Sequence, residues 1–271
     1  MAKPVILVTR KLPDGIEARL ASLFDARLNT ADTPWFRDGA EIAKRATEAG
    51  AAGVLCAAGD PMNAQTIAAL PDSVKIVTTF SVGVDHIALD AAKARGIAVT
   101  HTPEVLSFAT AECAFTLMLM AARRAGEGER MVRAGQWEGW APTQLMGVTL
   151  QGKTLGVLGF GRIGRELADM ARGMQMKIHY HDVQRLPEAL EKGATFHADE
   201  DSFLGAIDVI SMHVPGGEGT RKWLNAGRLA KMKKGAIVIN TGRGPSVDDE
   251  ALVAALSSGH IRAAGLDVYT A

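Results

Sequence analysis

Cysteine is scarce in this chain, net charge is absent and long apolar runs are missing, and each shortage removes a class of function. The two cysteines, Cys56 and Cys113, lie in the apolar stretches GVLCAA and AECAFTL, at no spacing that builds a metal site or a redox pair. No metal centre is expected, and both thiols read as small buried hydrophobes of a protein in a reducing compartment. Lys and Arg total 30, as do Asp and Glu, so no global field recruits nucleic acid or an anionic membrane. The longest apolar window, residues 111–122, is interrupted by Glu112 and falls short of the ~20 residues of a spanning helix. MAKPVILVTRKLPDG enters an apolar β-rich run at once, with no signal-peptide core or small-residue cleavage site, so the protein reads as cytoplasmic. Short repeats, low-complexity tracts and charge blocks are missing as well.

What is present is a regular alternation. The 271 residues are 47% hydrophobic, enough for a large core, and single cores stop growing near ~250 to 300 residues, which favours two domains. Short β-branched runs alternate with longer amphipathic stretches, as in an α/β protein with buried parallel sheets. Strands are expected at residues 5–9, 27–29, 53–57, 75–79 and 98–101, with helical patterns such as GIEARLASLF and AEIAKRATEAG between them. Residues 110–135 read as one long helix that begins after a Thr-Pro step and ends at glycine. A second series follows, with strands near 154–158, 177–181, 209–213, 236–240 and 263–268. Two lobes are therefore expected, one over 1–101 and one over 102–271.

The second series opens with KTLGVLGFGRIGRELADMA. Gly159, Gly161 and Gly164 have the spacing G-x-G-x-x-G after a strand and at the start of a helix. The first permits a tight turn, the second lets backbone approach a pyrophosphate, and the third allows helix to pack closely on strand. Amides at the helix start would hold the phosphates. Asp182 ends the next strand, KIHYHD, about twenty residues on, where a carboxylate accepts from an adenosine ribose and repels a 2′-phosphate. NAD is therefore expected over NADP, with Arg185 nearby as the counter-argument.

Ligands of doubly wound sheets sit outside the carboxyl ends of the strands, and apt residues recur there. Val214 and Pro215 give a rigid turn after DVISMHV. Thr241, Gly242 and Arg243 follow AIVIN, and Asp267 ends AAGLDV. The Arg243 fork suits a carboxylate held at two points; otherwise it caps carbonyls or forms a surface ion pair. Asp267 would accept from the carboxamide of a nicotinamide, or else serves as a cap. In the first lobe Val82 and Gly83 follow a strand, where backbone amides converge on an anion; the plainer reading is an ordinary strand-to-helix turn.

Together GFGRIG, the Asp182 ending, HVP, NTGRG with SVDDEALVAAL, and AAGLDV occur in the order of the D-isomer-specific 2-hydroxyacid dehydrogenases. SVGVDHI, VTHTPEVLSFATAE and VRAGQWEGWAP extend the match over nearly the whole chain. The chain resembles that family, and within it the glyoxylate and hydroxypyruvate reductases. The resemblance implies a flavodoxin-like substrate domain, a Rossmann-type NAD domain and an active site between lobes. It implies that the Val82 and Gly83 backbone holds the substrate carboxylate and that Arg243 binds the carboxylate and carbonyl oxygen. Gly159, Phe160, Gly161, Arg162, Ile163 and Gly164 would hold the cofactor with Thr110, Asp182, His213, Val214, Pro215, Thr220, Thr241, Gly242 and Asp267. Trp137 and Trp140 resemble the family's dimer-forming region, implying a homodimer; as packing anchors they fit equally well.

Three departures stand out. GGEGTRKW after Pro215 replaces a Leu-Thr-type continuation, and Gly242 stands where Ala is more common. In the family a Glu follows LDV-x-x-x and a proton-transferring His comes later; this sequence stops at Ala271, and none of its seven histidines has a matching downstream Glu. A general acid is worth ~10² to 10⁴ in rate, so the chain as given is expected to bind and polarise a 2-oxoacid but turn it over poorly. The first lobe is likewise expected to lack its usual returning helix. Two other readings keep the same fold: a protein that senses NAD(H), as corepressors resembling this family do, and a dehydrogenase of formate or phosphite.

Overall fold

The computed structural model describes residues 2–270 and divides the chain into two compact units, Met1–Val105 and Leu106–Ala271. The expectation attached to the stop at Ala271 lies outside the described residues.

In the first unit the strands are β1 (Val5–Val8), β2 (Asp25–Arg27), β3 (Gly53–Ala57), β4 (Ile76–Phe80) and β5 (Ala98–Thr100). They form one parallel sheet in the order β2-β1-β3-β4-β5, the flavodoxin-like arrangement. Its core joins Val54, Cys56 and Val77 from the sheet to Ile42, Ala46 and Ile67 from the helices Gly39–Glu48 and Ala64–Ala69.

The second unit contains β6 (Thr154–Leu158), β7 (Lys177–His181), β8 (Thr195–Phe196), β9 (Val209–Met212), β10 (Ala236–Asn240) and β11 (Ile261–Leu266). Every pairing is parallel and the order is β11-β10-β9-β6-β7-β8. Numbered from β6, this is the doubly wound dinucleotide-binding order, whose direction reverses between β6 and β9. All residues of β6, β9 and β10 are buried, because helices cover both faces. One apolar layer joins Leu155, Val157 and Ile239 to Ala114, Met118, Leu167 and Ala171; the other joins Ile210 and Val238 to Phe203, Leu229 and Leu252.

Three expectations are corrected. The helix expected over 110–135 is two helices, Ser107–Arg123 and Ala125–Arg133. Arg124 between them is left-handed at φ 55°, and its guanidinium grips Glu127 through Nε at 3.0 Å and Nη2 at 2.5 Å. A non-glycine residue adopts that conformation at a cost of ~1 kcal/mol, here offset in part by the ion pair. β8 was not foreseen, since two residues carry no periodicity. Cys56 is fully buried, but Cys113 is only half-buried. Among the described residues no helix is long and apolar enough to cross a membrane, and no cluster of three metal-ligating side chains occurs.

Candidate dinucleotide site

The three glycines after β6 meet three different constraints. Gly159 has φ +85°, and a Cβ there would lie 3.0 Å from the His213 carbonyl. At Gly164 a Cβ would come within 2.5 Å of the Gly159 oxygen and 2.8 Å of Val157 Cγ1, so helix Arg162–Gly173 lies directly on the turn it follows. At Gly161 a Cβ would meet nothing within 4 Å. Its small size serves no internal packing, which leaves access for a bound group as its physical use.

Around the turn, Arg162 is exposed at the first helical position and Ile163 packs against the core. The Phe160 side chain is buried and stacks on Tyr180, with centroids 4.4 Å apart. Phe160 therefore offers a ligand only backbone, and its amide donates to Asp182 Oδ2 at 2.7 Å. The other carboxylate oxygen of Asp182 accepts from Val183 N at 2.7 Å. Asp182 thus joins the end of β7 to the glycine turn, a role its place in the sequence did not disclose. Arg185 is committed as well: Nε and Nη2 hold Glu191 at 2.9 and 3.0 Å.

At the end of β9 the His213 ring bonds Ser211 Oγ through Nε2 at 2.9 Å, and burial pushes its pKa down to about 4. Val214 lies against Gly159. Pro215 is exposed and its carbonyl accepts from Thr220 Oγ1 at 2.7 Å, so Thr220 closes the loop it terminates. After β10, Thr241 is buried and Gly242 packs by the carbonyls of Met212 and Val214. Arg243 Nη1 donates to the Gly242 carbonyl at 3.0 Å. Beneath them lies buried Asn240, whose Nδ2 donates to Arg243 O at 2.9 Å and whose Oδ1 accepts from Gly242 N at 3.0 Å. Sequence reasoning passed over Asn240; its only signal was a carboxamide ending a wholly apolar strand.

Asp267 is exposed and its amide donates to Asn240 O at 3.0 Å. The Cys113 thiol is pushed up by burial and by the Asp267 carboxylate beside it. Thr110 lies half-buried in helix Ser107–Arg123. Trp137 and Trp140 are 50% and 79% exposed, which argues against packing anchors within this chain.

In the first unit, Val82 and Gly83 follow β4. His101 Nδ1 bonds Val82 O at 2.8 Å and Ser81 Oγ donates to Gly83 O at 2.6 Å. The carbonyls are thereby engaged, while the two amides donate to no group among the described residues.

The residues around the second-unit turn fit a bound dinucleotide. Two buried polar atoms at the ends of β9 and β10, His213 Nδ1 and Thr241 Oγ1, have no hydrogen-bond partner among the described residues. Buried polar groups are seldom left so, and both lie where the strand order predicts the ligand.

The family model described as "D-isomer specific 2-hydroxyacid dehydrogenase, NAD binding domain" matches residues 115–271. Glycerate dehydrogenase of Hyphomicrobium methylovorum is 41% identical over 271 residues, covering 99% of this chain and 83% of that protein. Glyoxylate reductase of Thermofilum pendens is 40% identical, covering 99% of this chain and 79% of that protein. The crystal structure of a glyoxylate reductase from Paecilomyes thermophila superposes with a TM-score of 0.85 at 35% identity, covering 99% of this chain and 82% of that one. With the doubly wound order, the glycine turn and these relatives in agreement, the chain belongs to the D-isomer specific 2-hydroxyacid dehydrogenase family.

Proposed function

We propose that this protein reduces a small 2-oxoacid, glyoxylate or hydroxypyruvate first among them, with NADH, and runs the reverse oxidation of the D-2-hydroxyacid. The observation that carries the reading is Gly161, where open space meets the start of helix Arg162–Gly173, together with the two unpartnered buried atoms, His213 Nδ1 and Thr241 Oγ1, at the ends of β9 and β10. Bound there, NADH supplies the hydride. Residues 1–101 act as the substrate domain and 102–271 as the NAD domain.

The glycine-turn amides and Arg162 take the pyrophosphate, with Ile163, Thr110, Val214, Pro215, Thr220 and Gly242 lining the cofactor. Thr241, His213 and Asp267 face the nicotinamide end. Asp182 takes the ribose: each of its oxygens accepts one backbone amide and keeps acceptor capacity for a hydroxyl, while its charge disfavours a 2′-phosphate. NAD is thus preferred over NADP. In the second unit Arg243 holds the substrate carboxylate and polarises the carbonyl, and in the first unit the Val82 and Gly83 amides are assigned to carboxylate binding. Each of the seven histidines has a ring nitrogen bonded inside its own unit, so none is assigned as the proton donor. The exposed Trp137 and Trp140 support a homodimer, and the free thiols a cytoplasmic setting.

The test is NADH binding followed by NADH oxidation with a panel of 2-oxoacids, repeated on Arg243→Ala. Loss of oxidation with NADH binding retained is expected in the variant. A wild-type chain that binds no NADH sinks the reading, and one that binds NADH but oxidises it with no 2-oxoacid sinks the activity.

A further inference from the structure

Past Asp182 the chain carries a single cation before Lys192, Arg185, within the segment DVQRLPEALE. A guanidinium three residues from a ribose-facing carboxylate is the natural partner for a 2′-phosphate, yet it is engaged elsewhere. Glu191 holds it in a two-point pair, with Arg185 Nε to Oε1 at 2.9 Å and Nη2 to Oε2 at 3.0 Å. The Glu191 side chain is 4% exposed, the Arg185 side chain 65%. The buried partner is therefore the fixed one, and it decides where the mobile one rests.

What fixes Glu191 is independent of Arg185. Tyr180 OH donates to Glu191 Oε1 at 2.6 Å, and the same hydroxyl accepts from Leu186 N at 2.9 Å. Arg172 Nη2 donates to the Glu191 carbonyl at 2.8 Å, which ties the short helix Glu188–Glu191 to helix Arg162–Gly173. The Tyr180 ring stacks on Phe160 of the glycine turn. The carboxylate that occupies Arg185 is thus anchored to the elements that build the cofactor site.

We infer that Glu191 is a positioning residue for cofactor choice: by occupying Arg185 it withholds from a phosphorylated dinucleotide the one cation of this segment. Discrimination against NADPH then has two parts, the charge of Asp182 and the sequestration of Arg185. The inference rests on the reading above that Asp182 faces the adenosine ribose.

The test measures Kd for NADH and NADPH by fluorescence titration on the full chain and four variants. Glu191→Gln, which keeps an acceptor for Tyr180, is expected to tighten NADPH about 3- to 5-fold and to leave NADH within about twofold, the upper scale of one partly exposed ion pair. The double variant Glu191→Gln/Arg185→Ala loses that gain, and high salt erases it in the single variant. Arg185→Ala alone leaves NADPH binding at the wild-type level, a check that does not depend on how well the Glu191 variant folds. An unchanged NADPH to NADH ratio in Glu191→Gln overturns the inference, as does weaker NADPH binding in Arg185→Ala. Asp182→Asn probes the underlying reading: if it fails to shift the ratio toward NADPH, the ribose placement falls and takes the inference with it. If it shifts the ratio while Glu191→Gln does not, only the inference falls. A wild-type chain that binds neither dinucleotide overturns both.

Discussion

Asn240 holds the turn that presents Arg243: one carboxamide accepts from Gly242 and donates to the Arg243 carbonyl, at 3.0 and 2.9 Å. Because Asn240 is buried at the end of β10, water does not replace either bond when it is removed. Asn240→Ala is expected to lose about 1 to 3 kcal/mol of stability, the cost of stranding buried polar groups. Misplacing a substrate clamp by an ångström is worth ~10²-fold in rate, so NADH oxidation should fall far more than NADH binding. Thermal unfolding, NADH titration and the oxidation assay separate the two effects. Equal losses of binding and oxidation would contradict a role confined to Arg243.

Gly161 and Gly164 lie in one helical turn and answer differently to a methyl group. At Gly164 a Cβ meets backbone at 2.5 Å, so Gly164→Ala forces helix and turn apart and lowers stability by about 1 to 3 kcal/mol. At Gly161 nothing lies within 4 Å, so Gly161→Ala should fold with an unchanged melting temperature and still bind NADH at least tenfold more weakly, roughly the 1.4 kcal/mol lost when a close contact with phosphate is blocked. Unaltered NADH affinity in Gly161→Ala would place the phosphates elsewhere.

These two glycines also mark how much could be read before the fold was known. Spacing and strand context are local properties, and they located Gly159, Gly161, Gly164, Asp182 and Arg243 at strand ends of the second unit. Asn240 was illegible because its function depends on a loop returning over it within three residues, a matter of backbone path. The Tyr180, Glu191 and Arg185 network was hidden for a similar reason, since a helical turn brings Glu191 under a strand eleven positions earlier. The break at Arg124 was missed because helical periodicity runs on through ARRAGEGER, and one residue's φ ends a helix without disturbing the pattern.

Trp137 and Trp140 expose large rings at 50% and 79%, with little internal packing to lose. Replacing both by Ala should therefore leave the stability of an isolated chain, followed by thermal unfolding, within ~0.5 kcal/mol of the wild type, as for surface changes generally. If the homodimer uses them, the same variant moves to the monomer position in analytical ultracentrifugation, since aromatic anchors dominate interfaces. A double variant that stays dimeric removes these rings from the interface.

Three histidines of the second unit, His179, His197 and His213, set a direction for pH dependence. Burial pushes His213 down to about 4, and it lowers His179 and His197, whose rings touch at 3.0 Å. His197 adds its charge against His179, as do Lys233 and Lys177, whereas His181 opposes a charge on His197 and Asp199 favours it. In the folded chain these rings stay neutral at pH values where the unfolded chain, near the ordinary 6.5, already binds protons. Unfolding therefore takes up protons, and stability is full above about pH 7 and falls as pH drops through 6.5 toward about 4. The lowered Glu191, near 2, extends the same loss below the ordinary carboxylate range. His197→Gln removes one of the three rings and one repulsion within the pair, so its melting temperature should fall less steeply between about pH 7 and 5 than that of the wild type. A wild-type melting temperature flat across that interval would mean that these rings accept protons in the folded state as readily as in the unfolded one, contrary to their burial.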